Sequence, residues 1–141
     1  QLVAQAFGGK TEKSEKGWGV GVHTCQVYEK KHWMSPDLES CNTIVSHQDQ
    51  VTVLPKGAEL IAGNAFCPHS MFQLGGNILT MQGHPEFNKE FAKTMLRHRA
   101  SIVGETSFNE GIASFQKKTH ERHIAKWIIN FLAIEDQIQH K

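Results

Sequence analysis

Residue 87 divides this sequence into two textures, and that division limits the folds open to it more than any other feature. Ahead of it, short apolar runs alternate with turn residues. Trp18 to Gln26 alternates apolar and polar, Thr43-Ile44-Val45-Ser46 is a short apolar run, and Val51 to Leu54, Glu59 to Ala62, Met71 to Leu74 and Ile78 to Met81 follow. Each reads as a strand, and Gly75-Gly76-Asn77 between the last two predicts a hairpin turn. Behind residue 87 the period changes to that of a helix. Asn88 is the N-cap of a long amphipathic helix carrying Phe91, Met95, Leu96 and Ile102 as far as Gly104. A second helix is predicted over Glu110 to Lys118, and a third from about Glu121 through Trp127, Ile128, Phe131, Leu132 and Ile134 to the C-terminus. Strands followed by helices without regular alternation read as α+β, and a chain that had lost leading βα units would have the same texture.

At 141 residues the chain suits a single domain, which if complete would bury about two-thirds of its unfolded surface. Lys and Arg total 15 against 14 Asp and Glu, so the formal charge of +1 gives no footprint for nucleic acid or anionic lipid. No apolar run approaches the roughly 20 residues needed to span a bilayer, and the start lacks a basic-then-apolar leader pattern. Cys25, Cys41 and Cys67 are odd in number and contain no C-x-x-C pair, which argues against a disulfide framework or a zinc ribbon. A cytoplasmic protein is expected. The opening Gln1 to Gly9 has helical apolar spacing and a Gly-Gly stop but no capping residue, like a helix cut open at its first turn. Lys10 to Gly17 interleaves lysines with acids and reads as an exposed loop or short edge structure.

Chemistry concentrates at Gln82-Gly83-His84-Pro85-Glu86-Phe87. Proline fixes its own φ and keeps the residue before it extended, so His84 and Glu86 project to roughly the same side. A carboxylate there accepts from one ring nitrogen and leaves the other free to take a proton from a nucleophile. Other histidines offer less. His120 and His123 lie three apart on a predicted helix with only Glu121 to add, His69 follows Cys67-Pro68, and no set of three or four ligands converges, so neither a metal nor a cofactor is expected. Trp18, Trp33 and Trp127 read as packing residues, since no basic groove accompanies them.

Six blocks occur in a familiar order: Gly8-Gly9-Lys10, Gly17-Trp18-Gly19-Val20-Gly21, Ser46-His47-Gln48-Asp49-Gln50-Val51, Leu54-Pro55-x-Gly57-Ala58, Cys67-Pro68 and Gln82 to Phe87. Together they resemble class I glutamine amidotransferase domains, most of all the glutaminase portion of GMP synthetases. The resemblance is dense from Gln1 to about Phe87 and covers the later helices only in character. It implies an α/β, flavodoxin-like fold and a Cys-His-Glu triad that removes the side-chain amide of glutamine and passes ammonia to a synthetase domain or subunit. His84 and Glu86 match the family's base and orienting acid. Gln1 matches the last residue of its G-x-C-x-G-x-Q elbow, and Gln1, Ser46, His47, Gln48 and Asp49 match the segments that hold the α-amino and α-carboxyl groups of glutamine.

The same resemblance places the family's thiol four positions before Gln1. Residues 1–141 therefore read as one partial domain, N-terminally truncated, without the nucleophile and inactive alone. Cys25, Cys41 and Cys67 lack an elbow around them and are expected to be small, buried and inert. Two other functions fit this pattern. One is a γ-glutamyl peptidase or hydrolase, with the same thiol chemistry and no ammonia acceptor, and the other is a non-catalytic interaction or regulatory module.

Overall fold

A computed structural model describes the backbone of residues 1–139 and the side chains of residues 1–133. The elements run α1 (Leu2–Ala6), β1 (Lys10–Lys13), β2 (Gly19–Val27), β3 (Ser40–His47), β4 (Asp49–Val53), β5 (Ala58–Gly63), β6 (Met71–Leu74), β7 (Ile78–Met81), α2 (Lys89–His98), α3 (Ala100–Val103), α4 (Glu105–Ser114) and α5 (Glu121–Gln139). Five strands form an antiparallel sheet in the order β3-β2-β5-β6-β7, and β1 pairs with β4 in a separate two-stranded ladder.

Period-two alternation puts opposite faces of the sheet against different helices. Val20 and Val22 of β2, with Ile44 of β3, pack against Ala92, Leu96, Val103 and Phe115 from the α2 to α4 region. Cys25 and Cys41, facing each other in the β2/β3 register, join Ile61, Met71, Trp33, Ile124, Trp127 and Phe131 beneath α5. A third cluster, Ala4, Val51 and Phe72, ties α1 and β4 to the sheet. Both tryptophans in the α5 layer are buried with their N–H groups satisfied, Trp127 by the Pro36 carbonyl at 2.7 Å and Trp33 by Gln73 Oε1 at 3.2 Å. They are packing residues, as is Trp18 against the opposite face.

Close backbone approach explains two glycines. Gly21 has φ +84°, and a Cβ there would sit 2.2 Å from Ser114 Oγ. That hydroxyl accepts from Val22 N–H at 2.7 Å and donates to the Gly111 carbonyl at 2.6 Å, clamping α4 onto β2. A Cβ on Gly83 would meet Thr43 Cγ2 at 2.4 Å, so only glycine lets the chain entering His84 lie against β3.

The expected long helix from Asn88 to Gly104 is interrupted. Asn88 does cap α2, its side chain accepting from Phe91 N–H at 2.8 Å. At Arg99 (φ −104°, ψ 7°) the turn leaves α-helical geometry and α3 starts afresh. Gly104, with φ +87°, ends α3 and launches α4, so the next helix spans residues 105–114 and not 110–118. It closes on tight turns in which Gln116 and Lys117 N–H reach back to Ala113 and Ser114. Ile134 and the last two residues of the predicted third helix lie outside the described side chains and backbone, respectively.

Candidate active site

His84 stands just after β7, where its backbone N–H donates to the Ile44 carbonyl at 2.7 Å and so pins the segment to β3. Its Nδ1 lies 2.8 Å from Glu86 Oε1, the geometry expected from the intervening proline. Because a carboxylate only accepts, the proton of the neutral ring is held on Nδ1 and Nε2 is left as the basic nitrogen. Nε2 has no hydrogen-bond partner among the described residues. The ring stacks on Phe87 with centroids 4.2 Å apart and planes within 5°, and Phe87 is braced edge-on by Phe91. One face of the imidazole is therefore covered. About a third of the side chain remains exposed, against 63% for Glu86.

The β3/β4 bend gathers a second group. The Asp49 carbonyl accepts from His47 Nδ1 at 3.1 Å and from Gln1 Nε2 at 2.6 Å. Gln1 Nε2 also reaches Gln82 Oε1 at 3.2 Å. Gln82, 7% exposed, further accepts from Val51 N–H and donates to the His69 carbonyl at 2.9 Å and Cys67 Sγ at 3.2 Å. Gln1, His47 and the Asp49 backbone are thus one hydrogen-bonded group, joined through Gln82 to the segment that leads from β7 to His84. The remaining expected contacts lie at its edge. Ser46 Oγ accepts from Arg99, Gln48 is half-buried with its carbonyl taking Ser14 N–H, and the Asp49 side chain is exposed.

Gln82 was legible only as part of a motif, not as a hub, because its partners lie up to 81 residues away in sequence.

His47 is more enclosed than a ligand-facing residue would be: 8% exposed, with Nε2 buried and unpaired. Burial lowers its pKa to about 4, opposed by the hydrogen bond to Asp49 and helped by nearby His23 and His84. An unfolded histidine titrates near 6.5, so below that pH the unfolded chain gains a proton which the folded chain refuses. Stability from this group is complete above about pH 6.5 and falls as pH drops toward about 4, by up to about 3 kcal/mol. Urea melts at stepped pH should show that slope, and His47→Gln should flatten it. A His47 ring signal titrating above pH 6 would contradict it.

All three cysteines are buried and unoxidised. Burial raises the pKa of Cys25 and pushes Cys41 and Cys67 up to about 12, so none offers a thiolate. Among the described residues no group of three or more His, Cys, Asp or Glu is placed to hold a metal ion. His120 Nδ1 instead accepts the Asn42 N–H at 2.9 Å, and no described helix is long and apolar enough to cross a membrane.

Known proteins resemble this chain in sequence and in fold. The family model described as glutamine amidotransferase class-I matches residues 1–102. γ-Glutamyl peptidase 3 of Arabidopsis thaliana is 35% identical over 96 residues, covering 64% of this chain and 39% of that protein. The glutamine-hydrolyzing GMP synthase of Campylobacter fetus is 39% identical over 77 residues, covering 52% of this chain and 15% of the synthase. A crystal structure of a glutamine amidotransferase from Thermotoga maritima superposes with a TM-score of 0.68 at 13% identity over 93% of this chain and 58% of that one, a likeness of fold. The chain spans well under two-thirds of the length of each of these proteins. With its GATase match over most of its length, its mixed α/β fold and its ordered motifs, the chain belongs to the class I glutamine amidotransferase family.

Proposed function

We propose that the chain supplies the base half and the substrate-holding bend of a thiol-dependent site that hydrolyses the γ-carboxamide of glutamine, with ammonia passing to a synthetase domain or subunit. His84 is the base, Glu86 orients it, and Gln1 with Ser46, Gln48, Asp49 and the backbone of His47, whose ring is enclosed, lies against the amino acid's α-amino and α-carboxyl groups. The thiol comes from outside these 141 residues. It attacks the amide carbon, its proton passes by way of His84 to the departing nitrogen, and water then cleaves the γ-glutamyl thioester with His84 as base. The observation that carries this reading is the 2.8 Å contact between His84 Nδ1 and Glu86, which leaves Nε2 free.

A peptidase reading has its own support in the 35% identity to a γ-glutamyl peptidase. The two differ only in what leaves the γ-carbonyl. Supplying a thiol-bearing G-x-C-x-G-x segment, fused ahead of Gln1 or co-expressed, and measuring glutamate release tests both. Release of ammonia from glutamine supports the first, release of amines from γ-glutamyl peptides the second, and a folded protein silent on both rejects the hydrolytic site.

A further inference from the structure

Arg99 is the corner at which α2 ends and α3 begins. Its N–H closes the last turn of α2 on the Met95 and Leu96 carbonyls, and its own carbonyl opens α3 by accepting from Ile102 and Val103 N–H, both at 2.9 Å. From that corner the side chain crosses to β3, where Nη1 donates to Ser46 Oγ at 3.3 Å. A guanidinium carries five N–H donors in a planar fork that matches a carboxylate. Ser46 takes one of them, Arg99 is exposed, and none of the ion pairs among the described residues includes it. A cation is thus moored by a hydroxyl with its charge unanswered among the described residues.

Ser46 fixes where that charge stands relative to the reactive imidazole. Among the described residues β3 is an edge strand, and its Asn42 and Ile44 turn main-chain groups outward, to His120 and to the His84 N–H. The period of two turns the main chain of Ser46 the same way, one step of about 7 Å beyond the point where His84 is pinned. That step is comparable to the span of an extended glutamine from its γ-carbonyl to its α-carboxylate. At the far end of the same bend Asp49 is exposed and takes part in no ion pair among the described residues. Residues 46–49 are therefore flanked by one cation and one anion, the complement of an α-carboxylate and an α-ammonium group.

We infer that Arg99 is a specificity-determining residue of this site: its guanidinium pairs with the α-carboxylate of the substrate, so a free α-carboxylate is required and compounds in which it is amidated, glutamine residues inside a peptide chain included, are rejected. The inference rests on the hydrolytic reading above and deepens it. Because the pair is exposed to water, its loss should cost about tenfold in binding, the lower end of what a hydrogen-bonded charge contributes.

The test has two arms. In the first, the chain alone is titrated with glutamine and with glutaminamide, its α-amide, at about pH 6, where both keep an α-ammonium group. Glutamine should shift the Arg99 Nε–H signal and bind about tenfold more tightly than glutaminamide, as followed at the backbone amides of residues 46–49. Arg99→Gln should erase this preference, while Arg97→Gln, which removes the same charge two residues away, should keep it, both variants melting like the parent. No glutamine shift at Arg99, equal binding of the two compounds by the parent, or an Arg97→Gln effect as large as that of Arg99→Gln overturns the inference. In the second arm, the protein with its thiol supplied is assayed on both compounds. Arg99→Gln should raise KM for glutamine about tenfold with kcat little changed, and should leave glutaminamide hydrolysis as it was. Hydrolysis of both compounds by the parent at equal kcat/KM overturns the role of Arg99 and leaves the hydrolytic reading standing. Silence on both compounds rejects the hydrolytic reading, while the carboxylate contact stands or falls on the titration.

Discussion

With a thiol segment in place, His84→Ala should lower kcat for glutamate release by about 10²- to 10⁴-fold, the range expected when a positioned general base is removed. KM should change little, because the imidazole acts on the reacting bond and the α-groups bind elsewhere. Glu86→Gln should cost less. An orienting carboxylate sealed from solvent can be worth about 10⁴ in rate. Here the Glu86 side chain is 63% exposed, so water screens its charge and competes for its hydrogen bond. A loss of about 10- to 100-fold is expected, most of it from a ring free to change tautomer and rotate on its Phe87 stack. Initial rates for both variants would check the order. A His84→Ala protein retaining a third of its activity, or a Glu86→Gln effect exceeding that of His84→Ala, would remove this pair from the chemistry.

How far the sequence disclosed this molecule depended on whether the deciding interaction was local. β6 and β7 fall where the Gly-Gly-Asn turn predicted them, and Asn88 caps the helix that it was expected to cap. Both are set by neighbours within a few residues. The His84 to Glu86 contact was equally local, since Pro85 fixes how the chain runs between them. The break at Arg99 was not local, for its apolar spacing continues smoothly and Arg99 leaves the helix where its side chain reaches across to Ser46 on β3. Gly104 was read as a stop, and a left-handed glycine serves equally well as a hinge into the next helix. His47 was read as facing the substrate because it stands in a recognised motif, yet its ring is enclosed and hydrogen-bonded to its own bend. Motif membership says which residues gather in one place, whereas exposure is decided by what packs over them. Here Phe66 lies against both His47 and His23, from nineteen and forty-three residues further along the chain.

Gln82→Leu should destabilise the folded chain by about 3 kcal/mol, the cost of leaving two buried backbone groups unpaired. The reason lies in β4, which has a strand partner, β1, on one side only. On its other side, side chains do what a neighbouring strand would do: Gln82 Oε1 accepts from Val51 N–H at 3.2 Å and His69 Nδ1 donates to the Val51 carbonyl at 2.8 Å. Leucine would orphan the Val51 N–H and the His69 carbonyl in a site too enclosed for water to replace the amide. Gln82→Met preserves volume and flexibility and should cost nearly as much, which separates lost hydrogen bonds from lost packing. Gln82→Glu keeps the acceptor toward Val51 but turns a second oxygen toward the His69 carbonyl, so it should also fail to rescue. Urea denaturation gives the energies, and hydrogen exchange at Val51 should quicken in all three variants. The consequence reaches the site because the same amide accepts from Gln1, and Asp49, whose carbonyl holds both Gln1 and His47, begins β4. Loosening that ladder should move the substrate-holding bend away from His84 while the contact with Glu86 stays intact, so in the thiol-supplied protein KM should rise more than kcat falls. A Gln82→Met protein with unchanged stability and unchanged KM would show that the ladder is held by other means.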